Sequence, residues 1–321
     1  MAQIVLGLAV SHSPQMSTPL DLWHLHAERD RTNPDIDFAA LSRDVPDWLK
    51  AQLTPEAWEK KFHASERGVV RLSAILETAA PDVVVVIGDD QKEMFQQDAM
   101  PAFAIFWGKE IMDLPHDINL LPPSIRPAYW ARHGTEPEAY PVAHELALHI
   151  IKSLVSEDFD ITQLTEQPGG RSIGHAHTFV RRRLLRGKPM IPMVPVFINT
   201  FYAPNVPSPK RCYDFGCALR RAIESWGGSE RVAIIASGGL SHFVVEEDFD
   251  RKVLDAIVNK DKATLTSLPK EKFVSGTSET LNWIAAAGAL ENLTPEVVDY
   301  IPVYRTEART GCGLGFMQWK A

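Results

Sequence analysis

The sequence predicts an α/β fold: one domain with a mixed, largely parallel central sheet covered by helices. Three observations predict it. Short apolar runs alternate with longer stretches of helical period, the pattern of strands joined by helices. The runs at 83–87 ("VVVVI") and 232–236 ("VAIIA") are apolar without alternation, as strands buried on both faces are. The chain has 321 residues and is 45% hydrophobic with no visible internal repeat, enough for one large core. The reading takes 1–321 as one catalytic-sized domain, with residues 16–58 and 108–137 as long insertions rich in Pro, Trp and charge. Insertions of that length in compact domains commonly serve as lids or binding segments.

The elements follow in order. Strands are expected at 3–10, 82–87, 102–107, 159–164, 190–198, 231–236, 298–304 and 312–318. Helices are expected at 59–79, 138–156, 209–226, 248–265 and 279–290. In 209–226, Cys212, Phe215, Gly216, Leu219, Ala222, Ile223 and Trp226 share one face, with Ser208 as cap and Pro209 as the first helical residue. The basic cluster "RRRLLRGK" (181–188) reads as a helix end, where cations suit the macrodipole.

Composition excludes several classes. A formal charge of −8 argues against a nucleic-acid footprint. The three cysteines, Cys212, Cys217 and Cys312, are odd in number and lack CxxC spacing, so they read as reduced thiols of a cytoplasmic protein. The first residues show no basic n-region or small-residue cleavage site, and no signal peptide is expected. No apolar run reaches the length needed to span a bilayer.

In open α/β sheets the site lies beyond the carboxyl ends of the strands. His12 follows the first strand, in "IVLGLAVSHSP" (4–14). "SGGLSHF", with His242, follows 231–236, and "TEQPGGRSIGHAHTF", with His175 and His177, follows 159–164. "GDDQKEMF", with Asp89, Asp90 and Gln91, follows 83–87. Each has a plainer explanation: His12 as a capping residue, Asp89 and Asp90 as solvated loop residues, Glu279 in "SGTSETLNW" as a carboxylate favoured at a helix start. Convergence of several polar groups on one end of the sheet favours a site. His24, His26, His116, His133, His144 and His149 have no convergent context.

"SHSP", "GHAHTF", "ASGGLSH" and "SGTSETLNW…GAL", in that order along nearly the whole chain, resemble the class III extradiol ring-cleaving dioxygenases. The resemblance implies one Fe(II) held by two histidines and a glutamate, with three coordination positions open to substrate and O2. By resemblance His12 is the first histidine ligand and Glu279 the carboxylate, while His242 and His175 handle protons as base and acid. Where the family pattern has Asn-Asp-His this chain has Asp-Asp-Gln, so Gln91 stands at the second ligand's position. His63, in "WEKKFHASERGVV" at the start of the helix leading into that strand, is the candidate replacement, with Gln91 or Asp90 as alternatives. Thr277, Ser278 and His177 are candidates for holding substrate, and Arg305 for an acid group. The implied substrate is a lignin-derived catechol such as 3-O-methylgallate or a related aromatic acid. The implied assembly is a homodimer, with 16–58 as its own lid. The altered ligand also allows a second class, a non-catalytic binding protein on the same fold.

Overall fold

The computed structural model describes residues 1–34 and 36–321; Asp35, inside the 16–58 insertion, lies outside the described residues. Among the described residues ten strands form: β1 (Gln3–Val10), β2 (Val83–Gly88), β3 (Phe103–Phe106), β4 (Glu110–Asp113), β5 (Glu138–Pro141), β6 (Thr162–Leu164), β7 (Met193–Ile198), β8 (Arg231–Ser237), β9 (Thr294–Tyr304) and β10 (Gly311–Lys320). Eight make one sheet in the order β6-β3-β7-β2-β8-β1-β10-β9, and β4 and β5 pair as a separate antiparallel ribbon. The central neighbours β7, β2, β8 and β1 run parallel, and β6 is parallel to β3. The pairs β3–β7, β1–β10 and β10–β9 are antiparallel, so the sheet is mixed and largely parallel, as predicted.

All six residues of β2 are buried, because helices cover both faces. Val83, Val85 and Ile87 face the core that holds helices His144–Ser156, Pro209–Glu224 and Thr280–Ala289. Val84 and Val86 face helix Pro55–Ala79 and the segment His175–Leu184. Thr54 and Ser208 cap the two long helices by accepting from the Ala57 and Arg211 amides, each followed by a proline at the first helical position.

Two helix expectations change. Residues 138–141 are β5, and the helix starts only at His144, since Pro141 could not donate inside a helix. The 248–265 stretch is two helices, Glu247–Val258 and Lys262–Thr266, broken where Lys260 takes a positive φ of 53°. The two insertions carry short helices and turns of their own, including helices His24–Arg31 and Tyr129–Arg132. Among the described residues no helix is long and apolar enough to cross a membrane.

Candidate active site

The parallel strands β2, β8 and β1 are adjacent and end level with one another, Val10 opposite Ser237 and Ile87 opposite Ala236. His12 and Asp89 leave the ends of β1 and β2. Glu279 approaches from the other side, closing the turn Ser275–Glu279 just before helix Thr280–Ala289. Ligand atoms of His12, Asp89 and Glu279 all lie within 4.8 Å of one another, and all three residues are buried. His12 Nδ1 is held 3.0 Å from Ser237 Oγ, and its Nε2 stands 3.1 Å from Glu279 Oε2 without a hydrogen-bond partner. Asp89 Oδ1 accepts from Asn282 Nδ2 at 3.2 Å, and its Oδ2 has no partner. Glu279 Oε2 accepts the Gly239 amide at 2.6 Å, and its Oε1 accepts Gln91 Nε2 at 2.7 Å.

The charges are coupled. Burial opposes the Glu279 charge, but His12 and His242 hold its carboxyl well below the usual carboxylate range. Burial also opposes a charged His12, yet Glu279 lifts its imidazole above its ordinary value. Burial and the Glu279 charge together push Asp89 up to about 7. A buried polar atom without a partner is costly. Two such atoms, one imidazole nitrogen and one carboxylate oxygen, face a second carboxylate at ligand spacing. That donor set fits a divalent transition metal.

Two further imidazoles border these groups. His242 donates Nδ1–H to the Leu240 carbonyl at 2.8 Å, and its Nε2 lies 3.5 Å from Glu279 Oε1. Gly239 and Gly276 press on this ring: a Cβ would fall 2.2 Å from its Cε1 or 1.9 Å from its Cδ2, so no other residue fits at either position. His175 crosses the His12 ring edge-on, with centroids 4.6 Å apart. Its Nδ1–H and backbone amide both donate to Glu93, whose other partner is Arg132 at 2.7 Å. Burial opposes the Glu93 charge, but His175 and Arg132 keep the carboxyl well below its usual range. Burial, then Arg132, push His175 itself down to about 4, so it stays neutral with Nε2 as an acceptor.

His12, Glu279, His242 and His175 line a cavity of about 200 Å³. Leu121, Pro122 and Ile125 of one insertion and His26 and Arg29 of the other line it, beside Phe243 and Pro14. An apolar cavity of ~150 Å³ accepts benzene, so this one suits a single substituted ring.

Of the residues predicted from sequence, His12, Glu279, His242, His175 and Gln91 meet here. His63 does not. The buried stripe of helix Pro55–Ala79 runs through Phe62, Ser65, Val69, Leu72 and Leu76, and His63, one residue past Phe62, turns outward. Its side chain is 58% exposed and 3.9 Å from Glu59. His177 is buried against the sheet, with Nε2 on the Val196 carbonyl and its ring on Phe197, outside the cavity. Asp90 accepts the amides of Glu93, Met94 and Phe95 and serves as a loop cap. Thr277 Oγ1 bonds the His242 backbone at both its amide and its carbonyl, and Ser278 Oγ donates to the Ser275 carbonyl; neither lines the cavity. Gln91 donates to Glu279 rather than offering its oxygen as a ligand. Asp89, expected among the polar groups at the strand ends but given no role, and His26, expected to have no convergent context, are both buried.

A model of the family described as the catalytic LigB subunit of aromatic ring-opening dioxygenase matches residues 45–315. Gallate dioxygenase of Pseudomonas putida is 31% identical, over 49% of this chain and 49% of that enzyme. The 2,3-dihydroxyphenylpropionate/2,3-dihydroxicinnamic acid 1,2-dioxygenase of Paraburkholderia phymatum is 27% identical, over 50% of this chain and 43% of that enzyme. The matching enzyme of Burkholderia vietnamiensis is 26% identical over the same shares. The chain thus spans about half the length of the curated relatives it matches, or less.

Proposed function

Because the chain belongs to the family of catalytic LigB subunits of aromatic ring-opening dioxygenases, we propose that it cleaves the ring of a catechol-type aromatic acid by extradiol insertion of O2, with Fe(II) held by His12, Asp89 and Glu279. A lignin-derived single ring such as 3-O-methylgallate fits the cavity's size. The observation that carries the reading is the buried cluster of His12, Asp89 and Glu279 at ligand spacing, with Asp89 Oδ2 unpartnered, beside a cavity that His12, Glu279, His175 and His242 line. The proposed set exchanges the second histidine implied by the resemblance for Asp89.

Bound there, Fe(II) supplies chelation of both catechol hydroxyls and a path for ring electrons to O2. The chain's residues do the rest. His242, its Nδ1–H fixed on Leu240, has Nε2 as the atom that takes a hydroxyl proton. His175, locked by Glu93, presents a neutral Nε2 that accepts a hydrogen bond from substrate or passes on a proton. Leu121, Pro122, Ile125 and Phe243 wall the ring off from water. The three cysteines are free and buried, in keeping with a reducing, cytoplasmic setting.

The test is iron content and catechol-dependent O2 uptake. Anaerobic loading should give about one iron per chain, a full set of ligands for one ion. Asp89→Ala should lose most of it, and His63→Ala should retain it. Full retention by Asp89→Ala removes that residue from the ligand set. A second reading, a binding protein that does not turn over, is favoured by one feature: Gln91 occupies its position bonded to Glu279. Iron-loaded protein that binds catechols and consumes no O2 establishes that reading instead.

A further inference from the structure

Three arginines line the cavity, and two of them have carboxylate counter-ions. Arg132 meets Glu93 Oε1 at 2.7 Å. Arg305 is buried with every nitrogen engaged: Nε on Gln15 Oε1 at 2.7 Å, Nη1 on Asp30 Oδ2 at 3.2 Å and Nη2 on Cys312 Sγ at 3.0 Å. Its charge is thus balanced by Asp30. The guanidinium of Arg29, on helix His24–Arg31, has no hydrogen bond or ion pair among the described residues. It lines the cavity and is exposed, which puts it at the mouth. Of the two acids adjacent to it in sequence, Asp30 is already committed to Arg305. Burial, Arg305 and Arg132 all press against the Arg29 charge, with Asp30 alone supporting it.

A guanidinium with no counter-ion of its own, at the mouth of a cavity that two further arginines line, adds to a positive field that attracts an anion. Its planar fork matches a carboxylate in two parallel hydrogen bonds. We infer that Arg29 binds the ionised acid group of the substrate and so selects catechol acids over neutral catechols. The inference rests on the ring-cleavage reading of the same cavity and deepens it. It also assigns a role to the 16–58 insertion: it brings a specificity residue to the site as well as covering it.

The test is anaerobic equilibrium binding to the iron-loaded protein, with gallate and its methyl ester as probes. The two share one hydroxylated ring and differ in charge. The parent protein should prefer gallate. Arg29→Gln should weaken gallate by about 10–100-fold and move methyl gallate by less than about twofold, with Arg29→Lys between, as loss of one charge-assisted contact implies. Equal weakening of both probes, an unchanged preference, or no gallate binding by the parent protein each overturns the inference. Arg29-dependent gallate binding without O2 uptake sinks the ring-cleavage reading and leaves the anion site. Normal O2 uptake with an unchanged preference for gallate in Arg29→Gln does the reverse.

Discussion

His242 and His175 differ in what receives their Nδ1 protons. His242 donates to a neutral carbonyl, that of Leu240; His175 donates to the carboxylate of Glu93, itself anchored by Arg132. His242 is thereby free to change protonation at Nε2 as charge moves on its neighbours, whereas His175 is held as an oriented neutral ring. His242→Ala should therefore keep its iron and lose turnover by about 10²–10⁴-fold, the usual contribution of a general acid or base. His175→Ala should raise KM more than it lowers kcat. O2 uptake and iron content measured side by side check both, and parental turnover in both variants removes these residues from proton handling. These two, with His12 and Glu279, were legible in the sequence because each sits directly after a strand end or in a distinctive motif. Asp89 was not, because a carboxylate after a strand reads the same whether solvated or buried. What buries it is Asn282, which arrives from 193 residues further along the chain.

The turn after β8 shows how one element fixes the next. Asp250, in helix Glu247–Val258, accepts the Ser241 amide at 2.8 Å, Ser241 Oγ at 2.7 Å and Tyr300 OH at 2.7 Å. It thus ties the residue before His242 to both the helix and β9. Burial outweighs these hydrogen bonds and raises the Asp250 carboxyl from 3.8 to about 6. The folded state then binds more protons than the unfolded state between these values, so this group's contribution to stability falls as pH rises from about 4 to about 6 and is constant above. A shift of that size corresponds to roughly 3 kcal/mol. Asp250→Asn should lose this dependence, so the difference in urea midpoint between parent and variant should shrink as pH rises from 4 to 7. A constant difference across that range means Asp250 is ionised throughout. The strands themselves were readable from apolar runs, because burial on both faces leaves no room for polar residues. The helices within the insertions were not: they are short, mostly polar, and formed by docking over the cavity.

At the scale of the molecule, the first insertion is fastened to the far end of the chain. Asp30 and Arg305 form a buried pair across 275 residues of sequence, joining helix His24–Arg31 to the turn between β9 and β10. Asp30→Ala leaves the guanidinium buried without its counter-ion, which typically costs about 3–5 kcal/mol. The urea midpoint should fall accordingly, and limited proteolysis should cut within 16–58 first. An unchanged midpoint means Gln15 and Cys312 suffice for Arg305. The level ends of β1, β8 and β2 carry a different consequence. His12 and Asp89 leave strands separated by β8, and Glu279 comes from the turn before helix Thr280–Ala289, yet their donor atoms converge to ligand spacing. The coordination geometry is therefore set by packed strand ends and a packed turn and exists before any ion arrives. Loading should act on the protein as a saturable ligand, not as a folding trigger. Chelator-treated protein should keep its far-ultraviolet dichroism and melt in one transition. Its midpoint should climb with the logarithm of added iron, gaining about 2.7 kcal/mol at a hundredfold excess over Kd. A collapse of the dichroism on chelation would show the opposite dependence, the ladder waiting on the ion.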